Sequence, residues 1–276
     1  MKLKYLGTAA AEGVPAMFCH CETCKQARRK KGKEIRTRCQ ALIDDSLLID
    51  LGPDTYLHLL AYDLDITDVE HCLITHVHSD HFLLDQLECR MPGYGVLKEG
   101  TKPLTIYGSD DVNEMLQSDI GRDIMKSGTV LFEKLVPYEP TQMGEYIVTA
   151  FPATHGSLNP YFYSIEKNGR CILYAHDTDA FLDSVWDYFE KNEMYFHLVS
   201  MDCTEGFEKV DYVGHMNFEK DLLMKECMIK SKVADENTIF VANHFSHNGH
   251  ASYETASKAM ADHQLVVAYD GMEIEI

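Results

Sequence analysis

The chain reads His76-Val77-His78-Ser79-Asp80-His81 at its most informative point, and four of these six residues are potential metal ligands. The stretch lies between the apolar runs Cys72–Thr75 and Phe82–Leu84. Imidazole and carboxylate groups together suit zinc, manganese or iron. Alternation along an extended turn puts His76 and His78 on one side, and Asp80 and His81 can begin the next helix. A solvated histidine-rich turn is the alternative, but the tight spacing favours a metal centre.

Residues of metal-ligand type follow four predicted strands, at the point where each strand ends. Ligand sites gather at this edge of the sheet in α/β architectures. We therefore expect four separate segments to contribute to one site. They are His76 after Cys72–Thr75, His155 after Val148–Phe151, Asp177 after Cys171–Ala175 and His244 after Ile239–Ala242.

Short apolar strands alternate with amphipathic helical stretches along the chain, which predicts an α/β fold with helices packed outside sheet. No repeat, low-complexity tract or Pro/Gly/Ser linker interrupts this pattern, so we predict one domain over residues 1–276. Helices are predicted at Thr55–Tyr62, Phe82–Arg90, Asp110–Ile120, Asp179–Lys191, Phe218–Lys232 and Tyr253–Asp262.

The net charge of −19 restricts the partners of this chain. Phosphate backbones repel an acidic protein, and non-specific nucleic-acid binding is mostly electrostatic. A small substrate is therefore favoured over a long nucleic acid. No apolar stretch is long enough for a signal peptide or a membrane span, so we expect a cytoplasmic protein without a membrane partner. A homodimer is compatible with these properties.

The chain has nine cysteines, and in a cytoplasmic protein they argue against a disulfide framework. Cys19, Cys21 and Cys24 provide three thiolates within six residues. This spacing predicts a structural zinc site whose fourth ligand comes from elsewhere in the chain. Redox chemistry is the other interpretation, but the segment lacks a thioredoxin-like setting.

The histidine-rich stretch resembles the H-x-H-x-D-H signature of the metallo-β-lactamase superfamily, and the later ligands of that superfamily have matches in order. The resemblance implies an αββα four-layer sandwich that holds two catalytic divalent ions, zinc or manganese. The chain would be a metal-dependent hydrolase that acts through a metal-bridging hydroxide, with Asp80 also orienting the nucleophile. The implied ligands are His76, His78 and His155 for one ion and Asp80, His81 and His244 for the other, with Asp177 bridging the two.

Other segments resemble the PhnP-like cyclic-phosphodiesterase subgroup of this superfamily, which acts in phosphonate breakdown. They are Gly7-Thr8-Ala9, Gly13-Val14-Pro15, the cysteine segment and Tyr269–Ile274. The resemblance implies that Cys19, Cys21 and Cys24 bind a structural zinc together with His247, which lies three residues beyond His244. His250 is the other candidate for this fourth ligand.

His215 precedes the predicted helix Phe218–Lys232, for which Asn217 can serve as the N-cap. By position alone, this histidine could simply pack or cap there. The resemblance to the subgroup implies instead that it contacts the scissile phosphate and binds no metal. A phosphodiester expels an alkoxide that needs a proton, and histidine can donate one near neutral pH. We therefore predict that His215 is the general acid.

The expected function is that of a phosphodiesterase for a small cyclic or short phosphodiester. The alternatives are an endonuclease similar to the tRNA 3′-processing enzyme, a lactonase, thioesterase or lactamase of the same superfamily, and a metal-binding scaffold without activity. The negative charge and the lack of a recognisable basic arm oppose the nuclease. Arg36 and Arg38 could contact a substrate phosphate or form part of the charged surface. Residues 85–145 carry no motif that predicts a role.

Overall fold

A computed structural model describes residues 1–211 and 213–276. Its strands, in chain order, are β1 (Lys2–Gly7), β2 (Gln40–Ile43), β3 (Leu47–Ile49), β4 (His71–Leu73), β5 (Leu104–Gly108), β6 (Val130–Lys134), β7 (Thr141–Met143), β8 (Tyr146–Pro152), β9 (Tyr161–Lys167), β10 (Arg170–Ala175), β11 (Leu198–Asp202), β12 (Ile239–Asn243), β13 (Leu265–Val267) and β14 (Glu273–Glu275). They form two seven-stranded sheets, ordered β14-β1-β2-β3-β4-β5-β6 and β13-β12-β11-β10-β9-β8-β7.

The α-helices are α1 (Glu22–Lys30), α2 (Thr55–Tyr62), α3 (Asp110–Leu116), α4 (Asp119–Lys126), α5 (Asp183–Lys191), α6 (Phe218–Lys230) and α7 (Tyr253–Met260). Single 3₁₀ turns or short 3₁₀-helices lie at Gly32–Glu34, Leu84–Arg90, His247–Gly249 and Ala261–His263. None of the described helices combines the length and the apolar character that a membrane span requires.

Side chains that alternate between the two faces of each strand separate the apolar core into layers. In β10, the side chains of Ile172 and Tyr174 pack between the two sheets, whereas Leu173 and Ala175 pack in the cluster that contains α5 and α6 residues such as Phe189. Successive side chains of a strand point to opposite faces, so each sheet separates two apolar clusters. The predicted αββα four-layer sandwich is confirmed.

Two predicted helices differ from the structure. The segment predicted as helix Phe82–Arg90 is a 3₁₀-helix that begins only at Leu84. The backbone before it pairs with Leu51, whose N–H donates to His81 O and whose carbonyl accepts the N–H of Leu83. These bonds hold Asp80 and His81 in a turn, and the prediction that they begin a helix was wrong.

The predicted helix Asp110–Ile120 is divided into α3 and α4. Ser118 caps α4 by accepting the N–H of Gly121. A Cβ atom at Gly121 would lie only 2.5 Å from Leu116 O, so glycine permits the close contact at this corner. Helix α5 likewise begins at Asp183 rather than at the predicted Asp179.

Candidate metal centre

The structure brings His76, His78 and His155 together at the end of both sheets, after β4 and β8. His78 Nδ1 lies 2.9 Å from His76 Nε2 and 3.2 Å from His155 Nε2. Burial is the main cause that holds the pKa of His76 well below its ordinary value. The imidazole is therefore neutral, as a metal ligand must be.

Asp80, His81 and His244 form a second group of converging atoms. His81 Nε2 lies 3.2 Å from Asp80 Oδ2 and 3.4 Å from His244 Nε2. The turn that carries Asp80 packs directly on Gly52, where a Cβ atom would lie 2.0 Å from the Asp80 carbonyl oxygen. Glycine at position 52 is thus required for the approach of this turn.

The Asp177 carboxylate lies between the two groups. Its Oδ1 atom is 3.5 Å from His155 Nε2, and its Oδ2 atom is 3.0 Å from Nε2 of both His81 and His244. Although these distances are short, Oδ2 is buried without a hydrogen bond of acceptable geometry. A buried carboxylate oxygen in this state is costly unless a cation contacts it. The donor set therefore fits two divalent ions that share Asp177.

Two buried aspartates accept hydrogen bonds from the Nδ1 atoms of histidines in this centre. Asp50 Oδ2 accepts a hydrogen bond from His81 Nδ1 at 2.7 Å. Asp202 Oδ2 accepts from His215 Nδ1 at 3.0 Å, whereas the hydrogen-bond partner of His244 Nδ1 is Thr204 Oγ1 at 2.8 Å, with Asp202 Oδ2 farther away at 3.4 Å. Such partners fix the tautomer and direction of a ligating imidazole. Asp50 directly follows β3, and Asp202 is the last residue of β11. The sequence pattern used for the candidate ligands, a polar residue at the end of an apolar strand, therefore also applies to these two aspartates.

Asp177 and His244 have left-handed backbone conformations, with φ values of 51° and 61°. Asp50 shares this feature, with a φ of 66°. Left-handed non-glycine residues are uncommon, and they concentrate at functional sites. Three of the residues that build this centre therefore depend on the surrounding fold to hold their backbones.

His215 lies in the loop before α6, where Asn217 accepts the N–H of Lys220 as the predicted N-cap. Burial lowers the pKa of His215, but the Asp202 carboxylate outweighs it, and the pKa is raised overall. Asp177, Asp202, His215 and His244 also approach one another closely. His215 turns Nδ1 toward Asp202, so these two residues are joined by a hydrogen bond, and Nε2 is the other ring nitrogen.

A cleft of about 310 Å³ exposes the centre to solvent. His78, Asp80, His155, Asp177, His215 and His244 line it, together with the carboxylates of Glu12 and Glu205. A larger cavity of about 470 Å³ lies under α2 and contains none of these residues. The smaller cleft is therefore the candidate substrate site.

The cysteine segment meets His247 at one point. His247 Nδ1 lies 3.5 Å from Cys19 Sγ and 3.6 Å from Cys21 Sγ, and Cys24 Sγ completes the group. Backbone N–H groups donate to all three sulfurs, among them that of Ala16 to Cys24 Sγ at 3.3 Å. The N–H of Cys21 helps to lower the pKa of Cys19, whereas burial raises that of Cys24 to about 12. Four donors in this arrangement suit tetrahedral zinc.

His250, the other candidate for the fourth ligand, is not part of this group. Its ring is 56% exposed and lies 3.9 Å from Glu208. The geometry therefore favours His247.

The family described as beta-lactamase superfamily domain matches residues 46–265, which is most of the chain. The chain belongs to the metallo-β-lactamase superfamily. The matched range contains every residue from His76 to His244 and excludes the cysteine segment. The predicted fold and the predicted membership of this superfamily are confirmed.

Curated relatives carry several activities. Octanoyltransferase of Porphyromonas gingivalis is 28% identical over 173 residues, which are 60% of this chain and 33% of that protein. Ribonuclease Z of Picosynechococcus sp. is 30% identical over 171 residues, which are 62% of this chain and 48% of that protein. The chain thus spans between a third and about half of the length of these two relatives.

A solved structure of a diphosphatase from the PhnP family resembles the chain over its whole length. The TM-score is 0.76 at 19% sequence identity, and the match covers 100% of this chain and 96% of the other. At this identity the resemblance shows that the two proteins share the metallo-β-lactamase fold.

Arg36 and Arg38 do not line the candidate substrate cleft. Arg36 is 3% exposed and donates to Thr8 Oγ1 and to the carbonyl oxygen of Ala268. Arg38 forms an ion pair with Asp54 at 3.1 Å. Both expectations for Arg36, a phosphate contact or a surface charge, were wrong, because its guanidinium lies in the core.

Proposed function

We propose that this protein is a binuclear metal-dependent phosphodiesterase that acts on a small cyclic or short phosphodiester. The observation that carries the proposal is the Asp177 carboxylate, which lies within 3.5 Å of ring nitrogens from both ligand groups. His215 lines the same cleft. Together these residues provide a binding place for a phosphate and a proton donor beside it.

His76, His78 and His155 would hold one divalent ion, and Asp80, His81 and His244 would hold the second, with Asp177 between them. When bound, two such ions lower the pKa of a water molecule and stabilise the negative charge on the attacked group. Asp80 lines the cleft, so its carboxylate can also orient the attacking water.

His215 serves the leaving group. Its Nδ1–H is directed to Asp202, so the proton that it transfers is held at Nε2. The buried Asp202 carboxylate stabilises the protonated imidazole and so keeps the acid ready near neutral pH. An alkoxide leaving group requires such a donor, whereas a phenolate with a low pKa does not.

The cleft itself favours a small substrate. Its volume of about 310 Å³ is near the lower end of the range for small-molecule sites. Glu12 and Glu205 add carboxylates to the cleft wall, in a chain whose net charge is −19. Carboxylates accept hydrogen bonds from hydroxyl groups and repel further phosphates. We therefore favour a single phosphodiester with hydroxyl groups over a polynucleotide.

A ribonuclease Z activity is the second candidate, because a protein with that activity is 30% identical to this chain over 171 residues. It would use the same ligands and His215. It differs in requiring a surface that attracts tRNA, against which the negative charge acts.

A third ion would be structural zinc on Cys19, Cys21, Cys24 and His247. The segments that carry these residues are already joined, since Ala10 N donates to Phe245 O at 3.0 Å and Phe245 N donates to Thr8 O at 2.9 Å. We infer that the zinc fixes this N-terminal loop, which includes Glu12, against the segment that follows His244.

A substrate panel tests the proposal. The metal-loaded protein is assayed with bis(p-nitrophenyl) phosphate, a nucleoside 2′,3′-cyclic phosphate, a lactone, nitrocefin and a precursor tRNA. We expect hydrolysis of the two small diesters only, and its loss after chelation. Cleavage of the precursor tRNA in preference to the small diesters would support the ribonuclease instead. Turnover of the lactone or nitrocefin alone would contradict both.

His215→Ala tests the general acid. The variant should keep its metal and lose about 10²–10⁴-fold in turnover of the cyclic phosphate. The loss on bis(p-nitrophenyl) phosphate should be much smaller. His263→Ala, at an exposed histidine outside the cleft, is the control and should change neither rate. Loss of metal from His215→Ala would show that this residue is a ligand.

A further inference from the structure

Asp179 and Lys220 form an ion pair beside the metal centre. Lys220 Nζ lies 2.8 Å from Asp179 Oδ1 and 2.7 Å from Oδ2. The Asp179 side chain is only 9% exposed, and that of Lys220 is 38% exposed. Exposed ion pairs contribute little because both side chains stay mobile and solvated, but this pair is partly buried and has two short contacts. Neither residue lines the cleft.

Asp179 connects the segments that carry His155 and Asp177. It lies two residues after Asp177, and its N–H donates to the carbonyl oxygen of Thr154 at 3.1 Å. The N–H of Thr154, directly before His155, donates to Thr178 Oγ1 at 3.0 Å. Asp179 Oδ1 also accepts the N–H of Ala180 at 2.8 Å, so its carboxylate is held in a fixed direction.

Lys220 connects the start of α6 to the His215 loop. Its N–H donates to Asn217 Oδ1 at 2.9 Å, and its Nζ atom lies 3.3 Å from the carbonyl oxygen of His215. One ammonium group thus contacts both the backbone of His215 and the carboxylate of Asp179. Through it, the segments of His155, Asp177 and His215 are joined at one point outside the cleft.

We propose that Asp179 and Lys220 are positioning residues that fix the His215 loop relative to Asp177. This inference rests on the proposed role of His215 as general acid. Proton transfer requires His215 Nε2 to lie within hydrogen-bond reach of the leaving oxygen, and small displacements of a catalytic group are costly. Asp202 sets the direction of the imidazole, and the ion pair sets the place of the loop that carries it.

Lys220→Met removes the ammonium group and Asp179→Asn removes the negative charge, so each abolishes the ion pair with little change in side-chain size. Lys225→Met is the matched control, because Lys225 lies on the same helix and donates instead to the carbonyls of His263 and Gln264. Lys220→Arg keeps the charge and should restore part of the function. Zinc content, thermal unfolding and turnover of the two small diesters are measured for each variant.

Lys220→Met and Asp179→Asn should keep their zinc and lose about 10–100-fold on the cyclic phosphate, with little loss on bis(p-nitrophenyl) phosphate. The double variant should lose no more than the worse single variant, because both remove one interaction. Equal losses on the two diesters, loss of zinc, or losses that multiply in the double variant would overturn the proposal.

A measurement without substrate separates this proposal from the proposed function. In zinc-loaded protein labelled with ¹⁵N-histidine, the imidazole signal of His215 is assigned as the one missing from His215→Ala. It should shift or broaden in Lys220→Met and Asp179→Asn but not in Lys225→Met. If wild-type protein hydrolyses neither diester, the proposed function fails while this readout still tests the positioning role. An unchanged signal in both variants would refute that role.

Discussion

His215 Nδ1 lies 3.0 Å from Asp202 Oδ2, and the same buried oxygen accepts the backbone N–H of Asp177 at 2.9 Å. One carboxylate therefore contacts both the proposed proton donor and the residue between the two ligand groups. Asp202 Oδ1 accepts two further N–H groups, those of Thr204 and Met216, each at 3.0 Å. These four hydrogen bonds fix the position of the Asp202 carboxylate, so His215 has a rigidly held partner.

Asp202→Asn should lower turnover of the cyclic phosphate by about 10–100-fold and affect bis(p-nitrophenyl) phosphate less. The amide carries no charge to stabilise the protonated imidazole of His215. Asp50→Asn is the comparison, since Asp50 contacts His81 and Thr75 but not His215. It should weaken metal affinity and slow both diesters alike. Steady-state kinetics with a zinc titration distinguish the two, and an identical pattern in both variants would contradict the assignment.

His78→Ala should remove metal and activity together. His78 Nδ1 is the atom that faces both His76 and His155, so the remaining pair of nitrogens can no longer enclose an ion. Metal content by mass spectrometry and turnover of bis(p-nitrophenyl) phosphate are measured on the same samples. His263→Ala serves as the control. Full activity in metal-free wild-type protein would refute a metal-dependent mechanism.

Cys21→Ser should reduce the zinc content by one ion per chain and lower the melting temperature, while the ions at the hydrolytic centre remain. Zinc sites that join distant segments contribute directly to folding stability. Cys227→Ser, at an exposed cysteine on α6, is the control and should leave both quantities unchanged. Unchanged stoichiometry and melting temperature in Cys21→Ser would show that the cysteine cluster binds no structural ion.

His58 should make the free energy of unfolding depend on pH. Burial lowers its pKa from 6.5 to about 4, and its ring nitrogens lie 2.5 Å from Gln40 Oε1 and 2.7 Å from Thr37 Oγ1. Because the folded-state pKa is depressed, this contribution is present above pH 6.5 and is lost as the pH falls through about 4. The full shift corresponds to about 3 kcal/mol.

Denaturant unfolding between pH 7 and pH 4 checks this prediction. His58→Gln should unfold with a smaller loss of stability over that range than wild-type protein, whereas the exposed His263→Gln should behave like wild type. Parallel stability curves for wild type and His58→Gln would mean that His58 is not held neutral by the fold.

The candidate ligands that the structure brings together could be picked out in the sequence because they follow apolar strands, and strand ends are visible as local patterns. The residues that contact these histidines from outside the two groups were harder to predict from the sequence. Asp50 and Asp202 also lie at strand ends, but nothing local to them identifies His81 and His215 as their partners. The helix predicted at Phe82–Arg90 failed for a similar reason, since its first residues pair with Leu51, about thirty positions earlier.

By itself, the sequence determined the alternation of strands and helices, the candidate ligand residues and the three-cysteine segment, because these depend on neighbours within a few positions. Only the tertiary structure decided which residues meet. In the second sheet, Ala175 pairs with Met201, and Met201 pairs with Ala242. This parallel register places the ends of β10, β11 and β12 side by side, so Asp177, Asp202 and His244 become neighbours although they are far apart in the chain. The same long-range packing places His247, and not His250, beside the three cysteines, and it brings Lys220 to Asp179. Such contacts follow from sheet register and helix packing rather than from local spacing.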